Sequence, residues 1–281
     1  MAKEAQSQEA LLFQVALGIQ APWFITDIDL KEVDHELHIY LDFERGNEFP
    51  CLTCEALCKC HDTKSKVWQH LTFFQYRTYI HARLPRVSCN EHGVHLVEVP
   101  WARQGSGFSL LMEAFILTLC KETTVKGVER VTGVKDKRVW NVLDHYVGEA
   151  VQKIDSSNMT SIGIDETSRK LGHKYVTLAV DMQDRKVFHV AEGKGKDTCR
   201  SIAEAIGKQG GHALNIKDIS MDMSPSFIQG CKENFPLASI TFDKFHIMKL
   251  VNQALDQVRR EESKTQASLK YTRYLWLKNL N

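Results

Sequence analysis

Two short segments carry the sharpest chemical signal in the sequence. Ile162-Gly163-Ile164-Asp165 and Ile219-Ser220-Met221-Asp222 each drive an apolar strand into an aspartate. If the strands are neighbours, their ends bring two carboxylates together. Such a pair can bridge two divalent cations, magnesium or manganese, which activate a water or hydroxyl nucleophile and stabilise the leaving oxygen at a phosphodiester. Aspartate at a strand end is common, so neither residue carries the reading alone.

The second signal is a cysteine and histidine cluster. Cys51-x2-Cys54 and Cys89-x2-His92 form two pairs on short knuckles. Four such ligands satisfy a closed tetrahedral zinc site that holds a small β-rich module together. A long linker separates the pairs, so the site requires the intervening strands to form a hairpin that returns Cys89 to Cys54. Cys58, Cys60, His61 and His70 compete as ligands, whereas Cys120, Cys199 and Cys231 read as core thiols.

The elements that must position these groups follow from periodicity. After a short N-terminal helix, residues 25–43 alternate apolar and polar (Val33, Leu37, Ile39, Leu41, Phe43) as a half-buried hairpin does. Residues 51–60 read as a turn-like stretch and 68–86 as two strands. From 108 to 121 the apolar residues repeat with helical spacing. A second helix follows, capped by Thr123 or Thr124, with Val125, Val128 and Val131 as its buried stripe and Thr132-Gly133 as its end. A third, over 135–151, buries Val139, Leu143, Tyr146 and Val147. Two short helices joined by Thr132-Gly133-Val134 match a helix-turn-helix, whose second helix enters the major groove of double-stranded DNA. That helix presents Lys135, Lys137 and Arg138, suited to phosphate or guanine, and Asn141, suited to adenine. An ordinary bundle with a solvated basic face is the competing reading. Trp140 is expected in the core.

Beyond a polar linker, the chain reads as α/β. Strand 161–165, hairpin 174–181 and 186–192, helix 197–207, a strand ending at Asp222, a helix begun by Ser224-Pro225, strand 238–242 and a long helix over 244–262 succeed one another. The long helix is expected to turn Ile247, Val251, Ala254, Leu255 and Val258 inward. This order puts Asp165 on the first strand and Asp222 on the fourth, as the ribonuclease-H architecture requires. The fold class is thus α+β multidomain: a zinc module over 1–104, a helix-turn-helix domain over 105–155, and a ribonuclease-H-like domain with a mixed sheet over 156–281.

Composition bounds the rest. The 43% hydrophobic and 25% charged fractions are those of a folded globular protein. The most apolar stretch, 108–120, is interrupted by Glu113 and too short to cross a bilayer. The start lacks a secretory signal, so a cytoplasmic location is expected, where metal ligation or burial explains eight cysteines better than disulfides do. A net charge of +1 does not by itself announce a nucleic-acid partner, so that reading rests on local patches.

The segments "HARLPRVSCNEHGVHLVEVPWARQGSGFSLLMEAF", "IGIDETS", "DMSPSF" and "FDKFHIMKLVNQALDQVRR" together resemble the bacterial insertion-sequence transposases of the ISL-three group, from about Leu11 onward. The resemblance implies that Asp165 and Asp222 are the first two acids of a DDE triad that binds magnesium or manganese. It also matches Asp243-x2-His246 to a motif after the fifth strand, where a supporting role is expected: Asp243 capping the long helix, His246 orienting a neighbour. Implied partners are terminal inverted repeats and target DNA, with a homo-oligomer assembled on the DNA at the nucleoid. The family's third acid, a glutamate, lies beyond a helical insertion to which "RYLWLKNLN" looks like the entry, so the chain reads as C-terminally truncated. Asp256, Glu261 and Glu262 have the spacing of transposases without an insertion, but read as a solvated helix face. Three readings follow: an active transposase performing DNA cleavage and strand transfer, an inactive remnant that only binds element ends, and a product with no stable catalytic fold.

Overall fold

A computed structural model describes residues 8–170, 174–193 and 195–276. The chain divides into two compact units, Met1–Val147 and Gly148–Asn281. In the first, helix α1 (Gln8–Ala16) precedes strands β1 (Trp23–Lys31), β2 (Glu36–Phe43), β3 (Glu48–Pro50), β4 (Leu57–Gln69), β5 (Arg77–Cys89) and β6 (Gly93–Leu96). The sheet runs β1-β2-β5-β4-β3, with β6 also paired to β5. The alternation read over 25–43 is a true hairpin, and its inward residues Leu37, Ile39, Leu41 and Phe43 join Trp23, Trp68, Ile80 and Leu84 in one core. Val33 falls in the turn and is exposed. The strands expected over 68–86 are longer and shifted outward, because cross-strand pairing of β4 with β5 extends from Gln69↔Tyr79 to Cys60↔Val87 and draws Cys58 and Cys60 into β4.

Helices α2 (Leu110–Glu122), α3 (Val125–Thr132) and α4 (Asp136–Gln152) follow. Thr124 caps α3 by accepting from the Gly127 amide, and Gly133 ends it at φ 70°, a left-handed conformation that glycine adopts without strain. Phe108, Met112, Ile116, Val128, Val134, Val139 and Val142 form a separate small core. Val131 and Val147, expected inside, are exposed. Trp140 is corrected in the same way: its side chain is 53% exposed, because Val139 and Val142 supply the buried stripe of α4 and Trp140 lies beside it.

The second unit holds β7 (Ser161–Lys170), β8 (Lys174–Asp181), β9 (Lys186–Glu192), α5 (Lys196–Lys208), β10 (Asp218–Met221), α6 (Pro225–Asn234), β11 (Ser239–Phe242), α7 (Lys244–Glu262) and the short α8 (Arg273–Trp276). Its sheet has the order β11-β10-β7-β8-β9. β10 is parallel to both of its neighbours, β11 and β7, while β7, β8 and β9 form an antiparallel meander. Ile162, Ile164, Ala179, Ile219 and Met221 pack against Ile202, Ile206, Phe227 and Cys231. Gly230 allows α6 to lie close to α5, since a Cβ there would meet Cys199 Sγ at 2.8 Å and Lys196 Cα at 2.9 Å.

Three expectations fail in this unit. β7 does not stop at Asp165 but continues to Lys170, because its pairing with β8 outlasts its pairing with β10. The stripe expected to face inward on α7 (Ile247, Val251, Leu255, Val258) is exposed, because α7 packs chiefly on the turn and short helix that follow it. Its buried residue is instead Asp256, held by Arg259 and Arg260 at 2.8 Å each, so Asp256 belongs to an ion-pair cluster rather than to a solvated face. Of the closing "RYLWLKNLN", residues 277–281 lie outside the described residues. Among the described residues no helix is long and apolar enough to cross a membrane.

Candidate active site and zinc centre

The β4–β5 hairpin performs the return that the cysteine spacing demands. One knuckle is closed by the Cys51 amide on Ala56 O and the Glu55 amide on Cys51 O, both at 2.9 Å. The other sits at the tight turn where Cys89 pairs with Gly93. The Cys51, Cys54 and Cys89 sulfurs and a His92 ring nitrogen all lie within 4.8 Å of one another. Cys54 Sγ is 3.7 Å from Cys89 Sγ, and His92 Nδ1 is 3.7 Å from Cys51 Sγ and 3.6 Å from Cys89 Sγ. A tetrahedral ion with zinc–sulfur bonds of about 2.3 Å has ligand–ligand edges of roughly 3.8 Å, so the donor set and its spacing both fit zinc.

The thiols show why a cation belongs there. Hydrogen bonding from His92, aided by local amides, pulls Cys89 down to about 6. At Cys54 the Ala56 amide also pulls down, but hydrogen bonding with Cys51, burial and Cys89 outweigh it and push the thiol up to about 11. Crowded thiols cannot ionise together without a positive charge among them, and zinc supplies two. The competing residues fall outside the ligand set. Cys58 lies against Cys89 but donates to Ala56 O, Cys60 donates to Asp62 O, His61 pairs with Asp62, and His70 Nδ1 meets Ser109 Oγ at 2.7 Å.

The carboxylates are arranged differently. Ile164 pairs with Met221 and Met221 with Phe242, so the next residues on three adjacent strands, Asp165, Asp222 and Asp243, fall in one row across β7, β10 and β11. Asp165 Oδ1 accepts from the Glu166 amide at 2.9 Å and Asp222 Oδ1 from the Ser224 amide at 3.0 Å. Each keeps its second oxygen for another partner. The row does not close as the zinc ligands do: among the described residues, the cysteine and histidine cluster is the one compact group of three or more ligand atoms. Asp243 caps α7, its Oδ1 accepting from the Phe245 amide at 2.9 Å while Oδ2 lies 3.1 Å from His246 Nδ1. The Phe245 amide, and then His246, hold its carboxyl below the usual carboxylate value.

Lys135, just before α4, and Lys137 and Asn141 on it are exposed at the surface. Arg138 is engaged. Its guanidinium stacks on Phe108 at 3.9 Å and donates to Gln69 Oε1 and Gly107 O, both at 3.3 Å. These bonds tie the helix to the end of β4, which itself pairs with the 107–109 segment. Sequence reasoning also missed Glu113, the charge interrupting an apolar run. It is fully buried and accepts from Arg103, from Ser106 Oγ at 2.6 Å and from Tyr146 OH at 2.8 Å, joining three segments of the first unit. A buried acid inside a helical apolar face was the available signal, since such a group requires donors.

Three family profiles match in chain order. Residues 48–92 match the zinc-finger of transposase IS204/IS1001/IS1096/IS1165, residues 97–147 the helix-turn-helix domain of transposase family ISL3, and residues 162–281 a domain of that family described as a transposase. The transposase for insertion sequence element IS1557 of Mycobacterium tuberculosis is 28% identical over 89% of this chain and 57% of its own length. That for element IS1001 of Bordetella parapertussis is 25% identical over 82% of this chain and 58% of its own length. The chain thus spans somewhat more than half the length of these relatives.

Proposed function

The chain belongs to the ISL3 family of insertion-sequence transposases, and from that premise we propose that it binds the ends of a bacterial insertion sequence and takes part in metal-dependent DNA cleavage and strand transfer. The observation that carries the reading is the register of three parallel strands, which aligns Asp165, Asp222 and Asp243. Asp165 and Asp222 are the residues that would hold magnesium or manganese, each with an oxygen not engaged by its neighbouring amide. Bound there, the cations would supply the Lewis acidity that phosphodiester attack requires. Asp243 acts as a positioning residue, fixing the start of α7 and the His246 ring beside the row.

Residues 1–104 serve in this reading as the zinc module, 105–155 as the DNA reader and 156–281 as the catalytic domain. Lys135, Lys137 and Asn141 contact terminal inverted repeats, while Arg138 sets the angle of their helix through Phe108 and Gln69. Assembly as a homo-oligomer on the element ends and on target DNA, in the cytoplasm at the nucleoid, completes the proposal. The test is cleavage of a labelled element-end duplex in magnesium, with Asp165→Ala as the control and a gel shift on the same DNA. Cleavage that Asp165→Ala abolishes supports the proposal. Binding without cleavage reduces it to a DNA-binding role, and absence of both overturns it.

A further inference from the structure

The position of Trp140 calls for a function. Its indole is 53% exposed on α4, although the core of this domain closes without it through Val139 and Val142. One turn before it on the same helix stands Lys137, and Asn141 is its neighbour. The ring borders an open cleft of about 730 Å³ whose walls also include Thr123, Thr124, Val125, Lys126, Asp136 and Leu143. Of the acids nearby, Asp136 lines the cleft, and Lys126 reaches both it at 3.1 Å and Glu129 at 2.8 Å, offsetting one of the two charges. Arg130, Lys135 and Lys137 have no acidic partner among the described residues, and over residues 126–144 the cations Lys126, Arg130, Lys135, Lys137 and Arg138 outnumber the acids Glu129, Asp136 and Asp144. An exposed apolar ring one turn from the unpaired Lys137 and beside Asn141 matches a polyanion that also presents apolar edges, and a nucleotide in duplex DNA is such a ligand.

We propose that Trp140 is a DNA-contacting residue, its indole packing on the apolar edge of one nucleotide (a thymine methyl or a deoxyribose) beside the groove that α4 enters. This rests on the DNA-binding reading above and adds to it an apolar contact that the charged residues cannot supply.

The test uses the full chain and a duplex bearing the element's terminal repeat, in gel shifts across a salt series. Trp140→Ala weakens binding about tenfold with an unchanged salt slope, and Trp140→Phe restores most of the loss. Lys137→Ala, by contrast, lowers the slope by about one. Replacing thymine by deoxyuridine separates the two edges. If the substitution weakens the wild type but not Trp140→Ala, the contact is the methyl. If it weakens neither while Trp140→Ala remains weak, the contact is the sugar. Unchanged affinity of Trp140→Ala, alongside wild-type binding and a normal Lys137→Ala effect, overturns the inference alone. So does a change confined to sedimentation, which would assign the ring to a protein interface. Failure of the wild type to bind at all overturns the underlying reading.

Discussion

The zinc centre and the carboxylate row are both brought together by strand pairing, yet one is closed and the other open. Each half of the zinc site is a local pair three residues apart, and one antiparallel hairpin brings the halves together. The carboxylates come from three segments aligned by the register of parallel strands; Asp165 and Asp222 each use one oxygen on a following backbone amide, whereas Asp243 engages both, with Phe245 and His246. A closed ligand set serves stability. An open one leaves positions for a substrate, which is the physical difference between structural and catalytic metal sites.

That difference can be broken most forcefully at Cys89. Structural zinc in small modules contributes about 10–16 kcal/mol of apparent binding free energy. Cys89→Ser should therefore lose bound zinc and abolish the cooperative unfolding of the first unit, as metal analysis and calorimetry would report. If zinc stoichiometry and the transition both survive, the centre is not the closed site described. Asp222→Ala should do the opposite. Its cleavage rate is expected to fall about a thousandfold, equivalent to about 4 kcal/mol of lost transition-state stabilisation, with the melting temperature unchanged. A stability loss matching the activity loss would put Asp222 in the class of the zinc ligands.

Glu113 sharpens the comparison by closing a site without metal. Its carboxylate has no exposure and is surrounded by Arg103, Ser106 and Tyr146. Glu113→Ala would leave Arg103 without its partner, at an expected cost of about 3 kcal/mol in denaturant unfolding. A cost below about 1 kcal/mol would mean that the segment 103–106 rearranges freely.

What was legible in the sequence follows the same division. The paired spacing of Cys51, Cys54, Cys89 and His92, the Thr124 cap and the Gly133 stop are local signals, and they match the structure. The helix and strand order leading to Asp165 and Asp222 was readable too. Arg138 was not, since Phe108, Gln69 and Gly107 are distant in sequence and nothing in a basic helix face announces them. Trp140, placed in the core by residue type, and the α7 stripe, placed there by helical period, were both misassigned, because neither signal says whether another element covers that face. The alignment of Asp243 with Asp222 depends on strand register, which no local pattern encodes.

Asp243 therefore offers the finest test of the two kinds of site. It is an N-cap, worth about 1 kcal/mol in comparable helices, and it stands in the row of candidate ligands. Its carboxyl is held below the ordinary value of 3.8 in the folded chain, by the Phe245 amide and then by His246. The sign follows: the charged form is favoured by folding, so the contribution is present above pH 3.8 and is lost as pH falls through the lower folded value. Asp243→Ala should accordingly lower stability at neutral pH and converge with the wild type in acid, as urea unfolding at several pH values would record. Asp243→Asn should keep part of the cap, since its side-chain oxygen can still accept from Phe245. If Asp243→Asn retains stability and loses cleavage as fully as Asp222→Ala, Asp243 is a member of the open site. If activity instead follows stability through both variants, its work is to hold α7 and His246 in place.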